Sequence, residues 1–208
     1  MRYDFHIHTR EYSACSASSA EEMCLKAVEA GLAGIALTEH DLWWPSPELE
    51  RLQERFSELV ILRGMEYSCP DAHFLVFLPN PANRRLPGWC SALDLIHRVH
   101  DHGGIAIWAH PFRFNKTWPH WLDRARPDAM EVASSNMGQW AETMARKLAA
   151  EKEIMIFRNS DAHHVSTLGR YGNEWDISLA SVDDFINYVR KQADAKTTMR
   201  ASHAGAAF

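Results

Sequence analysis

Seven short apolar runs, each four to six residues long, punctuate the first 160 residues of this 208-residue chain. They span residues 3–7, 34–37, 60–65, 74–78, 105–109, 129–133 and 154–157. Runs this short and this apolar suit strands buried on both faces, as in a parallel sheet. Amphipathic stretches separate most of them and carry helix-start signals. Ser18 and Ser19 stand three residues ahead of Glu21 and Glu22, a capping-box spacing, and that helix would run to Ala30 and stop at Gly31. Ser46 and Pro47 read as N-cap and first residue of a second helix ending near Glu58. Ser91 opens a third that Gly103 closes, and 139–151 and 182–191 give two more, the last capped by Ser181 with Asp184 at N3.

Strands alternating with helices make an α/β domain, and seven strands in so short a chain suit a small barrel or a doubly wound sheet. One connection departs from the pattern. Only residues 67–72 separate Glu66 from His73, whereas a parallel crossover needs about a dozen residues. The third and fourth strands are therefore expected to pair antiparallel, or the fourth to be displaced. The expected fold is a distorted seven-stranded (β/α) barrel. Residues 1–192 are expected to form one domain, and the small, Ala-rich segment 193–208 a peripheral tail.

Imidazoles and carboxylates recur at the strand ends. His6 and His8 end the first run, Glu39, His40 and Asp41 the second, and Glu66 follows the third. His73 opens the fourth, His110 ends the fifth, Glu131 lies in the sixth, and Asp161 and His163 follow the seventh. In a parallel α/β fold these ends share one face, where active sites are built. Residues i and i+2 of a strand point the same way, so His6 and His8 can chelate one ion without bending the backbone. Nitrogen and oxygen ligands without thiolate suit Zn, Mn or Fe. Asp4 is a candidate to orient a ligand histidine through its free ring nitrogen, and Glu131 a candidate hydrogen-bond acceptor behind the ligands.

Other features bound the partners. The net charge of -5 supplies no basic field for a long nucleic acid or an anionic membrane. The longest apolar runs are too short to span a bilayer. Four cysteines without metal-finger spacing, behind no secretory leader, read as reduced thiols in the cytoplasm. Nothing in the sequence sets the oligomeric state.

In order along the chain, "DFHIHT", "TEHD", "GMEYS" followed by His73, "AHP" and "SDAH" resemble the motifs of the PHP (polymerase and histidinol phosphatase) superfamily. The resemblance covers roughly residues 3 to 170. It implies a distorted barrel holding two or three divalent ions and hydrolysing phosphoesters. By position, His6, His8, Glu66 and Asp161 would hold one ion, and Glu66 would bridge to a second held by His73 and His110. A third would use His40 and His163. Two places depart from the family pattern. Glu39 stands where an Asp is usual, and the segment after His8, "TREYSACS", lacks the further His or Asp ligand of many relatives. Ala14 sits about there, with Cys15 beside it.

The expected reaction is hydrolysis of a small phosphorylated metabolite, nucleotide or short oligonucleotide by a metal-activated water. Asp161 and Glu66 belong to its catalytic centre, with His163 as candidate acid for the leaving group. Arg113, three residues after His110, is the first candidate to hold the phosphate, followed by Arg10, Arg158 and Arg170. Trp43 and Trp44 could close over the site, stack on a base, or simply pack. The alternative is a metal-binding module with little catalysis, serving structure or regulation.

Overall fold

A computed structural model describes residues 1–81 and 86–204, with side chains described to residue 193. Its single sheet has eight strands: β1 (Arg2–Ile7), β2 (Gly34–His40), β3 (Val60–Ser68), β4 (His73–Phe77), β5 (Ile105–Ala109), β6 (Ala129–Ala133), β7 (Met155–Arg158) and β8 (Asn173–Glu174). Their order is β7-β6-β5-β4-β3-β2-β1-β8. The sheet nearly closes on itself, because the chain just beyond β7 returns to β1. Ile7 pairs with Ala162, and the His8 amide donates to the Ala162 carbonyl at 3.0 Å. The barrel expected from the alternation is present, with one more strand than expected. At two residues, β8 is too short to leave a periodic signal. It pairs antiparallel with the start of β1.

The short link between β3 and β4 has the expected consequence. β4 runs antiparallel to both β3 and β5, and the other neighbouring pairs among β1 to β7 are parallel. His73 opens β4, yet the reversal places it beside Ser68 of β3 and Ala109 of β5, at the end where the parallel strands finish.

Helices α1 (Ala20–Glu29), α2 (Ser46–Arg55), α3 (Ala92–Asp101), α4 (Gln139–Lys152) and α5 (Val182–Ala204) connect or flank the strands. Ser19 and Glu22 form the capping box that opens α1. Ser91 caps α3 by accepting from the Asp94 amide. The start of α2 differs from expectation. Pro45 is its N-cap, and Ser46 instead accepts from Arg63 Nη1 at 2.7 Å. The helix also stops before Glu58. Gln53 Nε2 donates to the Phe56 and Leu59 carbonyls, which turns the chain down so that Phe56 is buried. At the other end of the chain, α5 runs on to Ala204, past the boundary expected near residue 192. The last four residues of the expected tail, 205–208, lie outside the described residues.

Two features of the packing position the site. Phe185 of α5 stacks on Phe5 at 4.2 Å and packs edge-on to Phe77 and Phe157, forming one buried cluster with Tyr3 and Ile107. Above it, β1 shifts register against β2 between Asp4 and Ile7. Tyr3 and Phe5 join the α5 cluster, whereas Ile7 packs outward with Met23 and Ala27 of α1. The irregularity moves the inward-facing set from odd to even positions and turns His6 and His8 in, as bulges beside functional sites do.

Close approach makes Gly104 a sensitive position. A Cβ there would collide with the Leu78 side chain and with the Phe77 carbonyl oxygen, which is backbone and cannot rotate away. Gly104→Ala is expected to cost about 2 kcal/mol, read as a lower urea midpoint at unchanged m value. A smaller, pH-dependent term lies at His100, whose Nε2 is 2.9 Å from Asp128 Oδ2. That hydrogen bond raises the imidazole pKa against partial burial. A raised folded-state pKa stabilises fully below the unfolded value and is lost as pH rises through the folded one. His100→Ala is therefore expected to cost more near pH 6 than near pH 8. The pair is partly exposed, so screening keeps the difference below about 1 kcal/mol.

Candidate metal centre

Glu66, at the top of β3, is 1% exposed and divides its two carboxylate oxygens between two sets of imidazoles. Oε2 lies 3.2 Å from His6 Nε2, 3.0 Å from His8 Nε2 and 3.1 Å from His40 Nδ1. Oε1 lies 2.9 Å from His73 Nδ1 and 2.8 Å from His110 Nε2. Register explains the convergence, since His40 of β2 pairs directly with Glu66 of β3. Asp161, beyond β7, completes the first set with Oδ1 3.3 Å from His6 Nε2 and 3.4 Å from His8 Nε2.

Three donor groups result: His6, His8, Glu66 and Asp161; Glu66, His73 and His110; and His8, His40 and His163. Their chemistry fits a divalent cation. Asp161 Oδ1 is buried without a hydrogen-bond partner, a costly state for an acceptor unless a cation faces it. The 3.0 Å gap between His6 Nε2 and His8 Nε2 and the 3.0–3.4 Å gaps to the carboxylates are informative. They match the edges, about 3.0–3.4 Å, between ligands each about 2.1 Å from a shared ion.

A layer of hydrogen bonds behind the rings sets their tautomers. Glu131 of β6 is fully buried. Its Oε1 accepts from His6 Nδ1 at 2.9 Å and from Asn159 Nδ2 at 2.8 Å, and its Oε2 accepts from the His110 amide at 2.7 Å. A carboxylate only accepts, so His6 Nδ1 carries a proton, and with a cation bound Nε2 would be its ligating lone pair. His8 Nδ1 lies 3.4 Å from Ser13 Oγ, and that hydroxyl donates in turn to Glu39. Glu39 also accepts from Thr9 Oγ1 at 2.6 Å and Trp44 Nε1 at 2.8 Å. With an Asp the carboxylate would be one methylene shorter. Here it reaches the 9–13 turn and fixes it against His8. His163 Nδ1 donates to the Asp161 carbonyl at 3.0 Å, which leaves its Nε2 free.

Electrostatics follow from this crowding. Burial opposes ionisation of Glu66, yet His6, His110 and His40 hold its carboxyl well below the usual range. Asp161 is likewise lowered against burial, by His6 and His8. The opposing carboxylates Asp161, Glu131 and Glu66 raise the His6 imidazole well above its usual value, again against burial. Burial and the neighbouring His8 lower His163. The backbone is strained at the same place: the non-glycine residues Asp41, His110, Phe112 and Asp161 all have φ between 29° and 65°, a conformation that costs energy and concentrates at functional sites.

The structure brings His6, His8, His40, Glu66, His73, His110, Asp161 and His163 together, and puts Glu39 and Glu131 behind them as orienting groups. Asp4 is a correction. Its carboxylate faces the His6 and Ser160 amides rather than a ring nitrogen, and Glu131 takes the role expected of it. Burial pushes Asp4 up to about 6, against hydrogen bonds from Ser160. Arg113 Nη1 lies 3.4 Å from Asp161 Oδ2, at the edge of the centre. Among the described residues, the other candidate arginines make no ion pair with the cluster. Arg10 pairs with Glu22 of the α1 capping box at 3.3 Å, Arg158 is exposed on β7, and Arg170 is exposed in the turn that its amide closes on Thr167. Trp44 is buried against Glu39, so it packs rather than stacks on a ligand. The sequence did not single out Thr9, Ser13 and Asn159. Thr9 and Ser13 stood in "TREYSACS", and the one visible trace of Asn159 was a polar quartet, "RNSD", where an apolar strand had just ended.

Residues 4–103 match the family model of the PHP domain, and residues 139–193 match the model described as PHP-associated, together about three quarters of the chain. The 5'-3' exoribonuclease Rnm of Escherichia coli is 33% identical over 37% of this chain and 28% of Rnm. The uncharacterized protein YqxK of Bacillus subtilis is 27% identical over 68% of this chain and 44% of YqxK. The chain thus spans less than half the length of either curated relative. Among solved structures, a protein from Bifidobacterium adolescentis described as a metal-dependent phosphoesterase superposes with a TM-score of 0.65 at 16% identity, over 91% of this chain and 96% of that one. An amidohydrolase from Chromobacterium violaceum gives 0.63 at 16% identity, over 90% and 96%. At such identities the likeness is one of fold. His6, His8, His40, Glu66 and His73 fall in the first matched segment and Asp161 and His163 in the second, and the chain belongs to the PHP superfamily.

Proposed function

We propose that this chain is a metal-dependent phosphoesterase. The observation that carries the reading is the buried Glu66 carboxylate, shared between two groups of imidazoles, beside an Asp161 oxygen with no other partner. His6, His8, Glu66 and Asp161 would hold one divalent ion, and Glu66, His73 and His110 a second. His8, His40 and His163 offer a third site. Bound there, such ions lower the pKa of water and withdraw charge from phosphoryl oxygens. The chain's own residues do the rest. Glu131 and the Ser13–Glu39 pair hold His6 and His8 with their lone pairs inward. Arg113, next to Asp161, supplies a fixed positive fork for a phosphoryl oxygen. His163 acts as a ligand rather than as the acid for the leaving group, because its one proton is engaged by the Asp161 carbonyl.

We place the substrate among small phosphorylated compounds, with nucleotides and short oligonucleotides first. The partial likeness to an exoribonuclease supports that choice, and the net charge of -5 disfavours a long duplex. No helix among the described residues is long and apolar enough to cross a membrane. Free thiols at all four cysteines fit a cytoplasmic setting. The test is a screen of phosphomonoesters and diesters with protein loaded with Mn or Zn. Turnover that requires the ion supports the proposal. Full metal occupancy without turnover of any compound would favour the non-catalytic module instead.

A further inference from the structure

Four exposed Trp or Phe side chains are present among the described residues: Trp89, Phe114, Trp118 and Trp140. All four ring the metal-bearing end of the barrel. Phe114 and Trp118 follow β5, and Trp140 begins α4 beyond β6. Trp89 lies in the segment before α3, where the Pro87 carbonyl accepts from Tyr67 at the top of β3. Phe114 alone among them meets the proposed ligands. Its ring centroid is 5.6 Å from that of His73 and 5.8 Å from that of His110, while the Arg113 guanidinium sits 4.8 Å over its face. Even so, Phe114 stays 70% exposed.

The turn that presents it is anchored. Phe112 is buried against Trp108 at 5.8 Å and Trp140 at 6.1 Å, with φ at 65°, and the Arg113 amide closes the turn on the His110 carbonyl at 3.2 Å. A bulky residue held in the left-handed region implies that surrounding structure enforces the turn. Beside it lies a cleft of about 320 Å³ lined by His73, His110, Arg113, Phe114, Asp71 and Asn115. That is the lower end of the range for small-ligand pockets, about 300–1,000 Å³. It suits one ring-bearing group. Asp71 and Asn115 can hydrogen-bond a sugar hydroxyl or the edge of a base, and the Asp71 charge keeps a phosphate towards the metal end.

We infer that Phe114 is the stacking platform for a nucleobase on the phosphoester, with the base in this cleft and the phosphoryl group between Arg113 and the donor groups. The inference rests on the phosphoesterase reading and adds its specificity element. The experiment compares a nucleoside monophosphate with glycerol phosphate, using wild type, Phe114→Ala, Phe114→Leu and Phe114→Trp. Equilibrium binding of a non-hydrolysable nucleoside phosphonate is measured in parallel on metal-loaded protein. Base stacking on an aromatic side chain predicts a loss of about 10- to 100-fold in kcat/KM for the nucleotide in the Ala and Leu variants. The same variants should stay within about twofold on glycerol phosphate, and the Trp variant should keep nucleotide activity. Equal losses on both substrates, or none on either, would overturn the platform. If wild type turns over neither these compounds nor any other in the phosphoester screen, the phosphoesterase reading fails, and the phosphonate decides the platform separately. Weaker binding by Phe114→Ala than by Phe114→Trp supports it, and equal binding overturns it.

Discussion

Glu66→Gln is expected to lower kcat/KM by at least about 10³-fold, because it removes the one carboxylate common to the two proposed ion sites and several kcal/mol of charge stabilisation with it. Glutamine keeps the volume, so packing in the barrel should survive. It offers a single neutral acceptor where five imidazoles now converge on two anionic oxygens. His73→Ala provides the contrast. It touches only the group of Glu66, His73 and His110, and should weaken one ion while the four-residue group keeps its own. Steady-state kinetics with metal content determined on the same samples checks both. Comparable damage from the two substitutions would mean that Glu66 does not bridge.

Glu131→Ala should be the most damaging change outside the ligand set. It strands three buried donors at once: His6 Nδ1, the His110 amide and Asn159 Nδ2. Leaving buried polar groups unpaired around a lost carboxylate costs about 3–5 kcal/mol, a large share of the stability of a domain this size. Urea unfolding in the presence of a chelator measures that cost without the ions. Metal affinity should fall separately, by about 10- to 100-fold, as the His6 ring loses its orientation. Competition with a chromophoric chelator reads this second effect. An Ala variant as stable as the parent would show that water replaces the carboxylate and that Glu131 is not an obligatory partner of His6.

The cluster of imidazoles and carboxylates was legible in the sequence because scarce residue types recur at positions that strand geometry already fixes. His6 and His8 stood out by their spacing, and His73 was placed by a link too short for a parallel crossover. What lay beyond local pattern is equally specific. Asp4 was a candidate to orient a ring nitrogen, and a regular strand would face it the same way as His6 and His8. The register shift between Asp4 and Ile7 turns it towards backbone amides instead. Arg10 was a candidate to hold the phosphate, but it pairs with the capping-box carboxylate of Glu22 at the surface. Ser13, Thr9 and Asn159 carry the orienting hydrogen bonds through residue types that loops use everywhere. Only the assembled barrel shows that their partners are buried. The strand β8 depends on pairing rather than on periodicity and so left no comparable trace, whereas α5 was legible over 182–191 but not in its continuation to Ala204.

Three adjoining donor groups, joined through Glu66 and His8, are proposed to hold divalent ions. Elemental analysis of protein loaded with Mn or Zn and then desalted tests this most directly, with wild type and Glu66→Gln side by side. The geometry predicts two or three ions per chain in the wild type, and at most about one in the variant, since both sites that share the carboxylate are weakened. Less than one ion in the wild type, or the same content in both proteins, would contradict it.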